Sequence, residues 1–148
     1  MKTILKTGFA LIIAVSATVY SCRKYEDGPK ISFSSKKSRI AGTWKVDKYL
    51  LDGVDKTSDY RLAIASESFV VAKDGKYTYS QSNTTLLGGQ TSTDAGKWEF
   101  IDKKEEFRSL SDTSGAVWDT TKITRLTQKE FWVKSVSKSQ AIEIHFIP

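Results

Sequence analysis

The sequence predicts an all-β fold, a single closed, eight-stranded, antiparallel up-and-down barrel. Three observations predict it. Apolar and polar residues alternate with period two in eight short segments, turn chemistry cuts the segments off at near-regular spacing, and no stretch sustains a helical period. A chain of 148 residues has room for one domain with one core. Short connections make sequence neighbours pair antiparallel, and joining the last strand to the first removes the exposed edges.

The first strand opens at Gly42 and runs to about Leu50, with Trp44, Val46 and Leu50 on one face and Lys45, Asp47 and Tyr49 on the other. Lys48 breaks the alternation, so either the strand bends there or its ammonium reaches the barrel mouth. Gly42 is expected to let the backbone pass close to the closing segment, while the Trp44 indole plugs the floor. Ser38 to Ile40 forms a short helical turn before it. Asp52-Gly53 marks a turn, and the run from there to Ser66 is long for a hairpin. Tyr60, Leu62 and Ile64 are candidates to pack into the mouth as a lid; the alternative is a short extra strand or helical turn covering the edge.

Glu67 to Lys73 and Lys76 to Gln81 flank Asp74-Gly75, the strongest hairpin signal in the chain. Residues Ser82 to Ala95 read as a strand end plus a loop around Gly88-Gly89. Gly96 to Ile101 and Glu105 to Ser111 form the next hairpin, with Trp98 and Phe100 on one face. Ala116 to Leu126 follows, and if Trp118 and Ile123 both point inward a bulge lies between them. Gln128 to Val136 and Gln140 to Ile147 close the sheet through a turn at Ser137 to Ser139.

The segments Gly42-Thr43-Trp44-Lys45-Val46, Leu51-Asp52-Gly53, Asp55-Lys56-Thr57, Asp74-Gly75-Lys76-Tyr77, Gly96-Lys97-Trp98-Glu99-Phe100 and Glu130-Phe131-Trp132 carry a resemblance. With Tyr25-Glu26-Asp27-Gly28-Pro29 ahead of them, the chain resembles the lipocalin-like domain family of small Gram-negative envelope lipoproteins. The resemblance spans nearly the whole chain and implies a calycin-type barrel and an envelope address, without a single ligand or activity.

The N-terminus agrees with that address. Lys2 and Lys6 make a positive start, Gly8 to Val19 is apolar but too short to span a bilayer, and Val19-Tyr20-Ser21-Cys22 resembles a lipobox. The expected organisation is a signal peptide over residues 1–21, a lipidated Cys22 with a flexible tether over 22–38, and the barrel over 39–148. Several acyl chains on Cys22, palmitate among them, hold a protein at a membrane more firmly than one. Glu26 and Asp27 resemble the surface-export signal of some lipoproteins, or else only solubilise the tether. The expected location is therefore the outer membrane, on its periplasmic or cell-surface face.

Charge and residue inventory exclude several function classes. The formal charge of +6 is spread over the chain, without the basic stripe a nucleic-acid surface needs. Cys22 is the only cysteine and His145 the only histidine, so there is no internal disulfide, no metal-ligand pattern and no nucleophile–histidine pair. No catalytic residue, no metal site, no cofactor and no hydrolytic activity are expected. The expected partners are the membrane, through the anchor, and a small apolar or amphipathic molecule; the protein is expected to be a monomer.

The candidate ligand-lining residues are Tyr77, Tyr79, Trp98, Phe100, Trp118 and Phe131, an aromatic set with phenol hydroxyls. The competing reading is that these rings fill the barrel, leaving a surface-exposed glycan- or protein-interaction module with no ligand, to which an outward Trp132 would contribute. Gly42, Trp44 and Arg125 are the candidate barrel base, with Arg125 stacked on the Trp44 ring and Arg39 competing for that place.

Overall fold

The computed structural model describes Tyr25, residues 34–85 and residues 88–148. The expected signal peptide, Cys22, most of the expected tether and residues 86 and 87 lie outside the described residues. Eight strands form the wall: β1 (Gly42–Leu51), β2 (Ile64–Val71), β3 (Lys76–Asn83), β4 (Thr91–Ile101), β5 (Glu106–Ser111), β6 (Asp119–Leu126), β7 (Phe131–Ser137) and β8 (Gln140–Ile147). Each pairs antiparallel with the next, and β8 pairs with β1, so the sheet is a closed eight-stranded barrel. Val54–Asp55 folds back on the end of β1 as a two-residue extension.

Trp44 and the first strand define a closed end. There α1 (Lys36–Ile40) is capped by Ser35, whose Oγ accepts from the Ser38 N–H at 3.1 Å. Ile40 and Leu126 are fully buried, and the Trp44 indole N–H donates to the Ile40 carbonyl at 2.7 Å. Arg39, also buried, donates from Nη1 to the Leu126 carbonyl at 2.8 Å. This arginine seals the base, whereas Arg125 lies on the outer face, paired with Glu130 at 2.7 Å and over the Trp132 ring at 5.1 Å. The cause is a register shift between Ile123 and Arg125. It keeps both Ile123 and Leu126 inside and turns Arg125 out.

A second shift falls between Val46 and Lys48 where β1 meets β8. Asp47 is the extra residue, so the strand bends at the place where Lys48 broke the alternation. The bend also reverses the face of Tyr49, read from the alternation as outward: it packs against the core and stacks on Tyr60 at 5.2 Å. Gly42 does not serve a close approach, because a methyl group there would meet nothing nearer than Trp44 Nε1 at 3.9 Å. Gly96 does, since its Cβ would overlap the Leu110 carbonyl oxygen.

The β1–β2 seam is short, pairing only Gly42–Trp44 with Phe69–Val71. Beyond it the strands part, and α2 (Thr57–Ala63) packs against both. Buried Glu67 takes over the role of the missing ladder. Its Oε1 accepts hydrogen bonds from the Val46 N–H at 2.9 Å and from Arg61 Nη1 at 3.0 Å, while Arg61 Nη2 donates to the Val46 carbonyl. Within the lid candidates, Tyr60 packs inward against Tyr49, Ile64 begins β2, and Leu62 is 69 % exposed. The segment is thus a helical turn covering the edge, with Leu62 facing solvent.

Candidate functional site: a cavity in the barrel

Above the floor the barrel holds a cavity of about 260 Å³. Its lower wall is apolar, built by Phe69, Phe107, Phe131, Phe146, Val133 and Ile144. Register brings these rings together: Phe131 lies opposite Phe146 across β7–β8, and the two stack at 5.5 Å. Phe69 is the hub, with ring centroids 5.9 to 6.3 Å from Tyr77, Tyr79, Phe107 and Phe146. The upper wall is polar, lined by Tyr77, Tyr79, Asp94, Ser109, Asp119 and Thr121. Apolar depth with a few placed polar groups above it is the usual composition of a small-molecule site.

Asp94 is the most firmly held polar group of that wall. Tyr77 donates its hydroxyl to Oδ2 at 2.6 Å, and Ser111 donates to Oδ1 at 2.5 Å. Those two bonds, Ser111 first, hold the Asp94 carboxyl below the usual carboxylate range. Burial, helped by the neighbouring Asp94 charge, pushes the Tyr77 phenol up, so the phenol stays a donor. Burial likewise raises Tyr79, which donates to Gln81 Oε1 at 3.0 Å.

Of the predicted lining residues, Tyr77, Tyr79 and Phe131 line the cavity. Trp98 stands beside it: its ring stacks on Phe107 at 5.7 Å and its N–H donates to the Ala72 carbonyl at 2.8 Å. Phe100 meets Trp98 edge-on at 5.3 Å, one layer nearer the closed end. Trp118 is outside altogether, 39 % exposed, with the Arg108 guanidinium over its ring at 4.3 Å. The bulge on β6 falls after Ile123, not before it. Alternation back from Ile123 therefore points Thr121 and Asp119 inward and leaves Trp118 out.

Phe69, Phe107 and Phe146 were absent from the predicted set, as were Asp94, Ser109, Asp119 and Thr121. The signal for them was parity. Phe69 shares a face with Glu67 and Val71, Phe107 with Ser109, and Asp94 with Gly96 and Trp98. A search for aromatic residues with hydroxyls passes over a carboxylate among serines and threonines.

On the outer surface His145 lies flat on Trp132, centroids 3.9 Å apart, and its Nε2 is 2.7 Å from Glu143 Oε1. With Arg125 on the other contact, Trp132 is half-buried rather than a free ring. Among the described residues no group of three or more His, Cys, Asp or Glu is placed to hold a metal ion, and no helix is long and apolar enough to cross a membrane. No protein-family model matches the chain, and neither does any curated protein.

Proposed function

We infer that the chain is a lipocalin-like lipoprotein, anchored through Cys22 in a Gram-negative outer membrane, that binds a small apolar or amphipathic molecule inside the barrel. The observation that carries the binding part is the 260 Å³ cavity, open above a floor of stacked phenylalanines. A barrel of eight strands is just wide enough to be filled or to hold one small ligand, and this one leaves room. The lipobox-like Val19-Tyr20-Ser21-Cys22 carries the anchoring part. The only histidine lies between the cavity-lining Ile144 and Phe146 but faces outward against Trp132, and the lining itself holds no histidine, which favours a binder over an enzyme.

Native mass spectrometry of the protein extracted from its own envelope tests this. A retained small molecule, lost on denaturation, is expected. A bare mass, together with no displacement of an apolar fluorescent probe by any envelope extract, would overturn it. Anchoring has a separate readout: Cys22→Ala abolishes labelling by a radioactive fatty acid and releases the protein from the membrane fraction.

A second reading, a surface module that contacts a glycan or protein, is favoured by a different observation. Val54, Leu62, Val117, Trp118 and Val136 are exposed, and strand direction puts these five at the end of the barrel opposite Trp44, while exposed Val70 and Ile147 lie near the Trp44 end. Exposed apolar residues gathered at one end suit a contact surface. Replacing Leu62, Val117 and Val136 by Ser leaves the retained small molecule in place under the first reading and abolishes glycan or protein capture under the second.

A further inference from the structure

The chain carries a formal charge of +6, yet the cavity runs against that bias. Its lining holds two carboxylates, Asp94 and Asp119, and no lysine, arginine or histidine. Lysines on the outer wall are screened beyond about 8 Å at physiological salt, so a group inside the mouth is governed by the charges that line it. Asp94 is fixed by Tyr77 and Ser111, one bond to each oxygen. Each oxygen still keeps a lone-pair direction for a further donor. Phe69 and Phe107 line the same cavity and supply apolar contact for a hydrocarbon body.

Size narrows the class further. A volume of 260 Å³ equals roughly nine water molecules at about 30 Å³ each. That is room inside the barrel for a molecule of phenethylamine size.

On the binder reading above, we propose that the cavity takes a small aryl or alkyl amine in its cationic form, the ammonium on Asp94 and the hydrocarbon against the phenylalanine floor. Asp119 adds a second negative charge to the same lining. An ammonium brings three donors and no acceptor, matching a carboxylate that is held in place by donors and has acceptor capacity left. A carboxylate ligand would meet two like charges and no base. A neutral alcohol would make the apolar contact and one hydrogen bond to the carboxylate, without the opposite charge.

Isothermal titration of the full chain in zwitterionic nanodiscs, with empty discs as baseline, tests this with phenethylamine, phenethyl alcohol and phenylacetate, which share one aromatic body. Phenethylamine is expected to bind at least tenfold tighter than the alcohol, and phenylacetate more weakly than either. Asp94→Asn should remove most of that margin, leaving the amine within a few-fold of the alcohol. Asp119→Asn, a change on the rim that no core contact depends on, should lower the amine's affinity by a few-fold and keeps the test open if the first variant misfolds. Equal binding of the amine and the alcohol overturns the charge preference and leaves the binder reading standing. Binding of none of the three overturns the amine proposal, while the binder reading is decided separately by the native mass.

Discussion

A methyl group added at Gly96 would run into the Leu110 carbonyl oxygen, a backbone atom that cannot swing aside, whereas at Gly42 it would find ordinary contact distance. Gly96→Ala is therefore expected to cost about 3 kcal/mol, and Gly42→Ala about 0.5 kcal/mol or less, read as urea midpoints. The sequence showed two Gly-x-Trp segments, Gly42-Thr43-Trp44 and Gly96-Lys97-Trp98. Nothing in either says which glycine faces a crowded backbone, because crowding is a property of the neighbouring strand. Asp94 offers a second test. Its folded carboxyl titrates below the ordinary value, so its contribution to stability is complete above the unfolded pKa and is lost as pH falls through the folded one. Asp94→Asn should then lower the urea midpoint at neutral pH, and the gap to the wild type should close in strong acid. A gap that stays constant across that range would contradict the assignment.

Turns show where strand-level reading succeeds. Asp52-Gly53 and Asp74-Gly75 lie where turn chemistry put them, with Gly53 and Gly75 at positive φ. The β7–β8 hairpin turns on Lys138 and Ser139, both in the left-handed region, although neither residue favours it. Replacing this pair by Asn-Gly should stabilise the protein by about 1 kcal/mol, seen as a higher melting temperature. The start of β4 at Thr91 was not legible, since its upper part carries no apolar alternation; hydroxyl pairs join it to β3 instead, Ser82 with Thr91 at 3.0 Å and Ser80 with Thr93 at 3.4 Å. α2 was legible only as one of the alternatives for its segment, since it has no buried residue of its own to set a helical period. It is held largely by Arg61 on Glu67, and removing the guanidinium leaves a buried carboxylate short of donors. Arg61→Ala should speed hydrogen exchange over residues 54–66 far more than in β7 and β8. Equal protection in both regions would show that α2 is held by something else.

At the scale of the barrel, period-two alternation was enough for the architecture: strand number, antiparallel order and closure follow from it. Whether the interior is filled was not legible, because parity says which side chains point inward and not how much volume they leave. Phe146 joins both matters, lying on the closing strand and on the cavity floor. Phe146→Ala should cost about 3 kcal/mol and enlarge the ligand the barrel accepts, measured by unfolding and by the same titrations. Tyr25 has a different consequence. It was expected within a flexible tether, yet it is buried, its hydroxyl donating at 2.8 Å to the carbonyl of Lys104, with the Lys36 ammonium 4.2 Å from the ring centroid. The β4–β5 turn that carries Lys104 is at the same end as Trp44. Cys22 precedes Tyr25 by three steps of chain, a span of at most ~11 Å. Acyl chains carried there would stand the molecule on its sealed foot, like a cup set on a table, with its brim turned away from the bilayer.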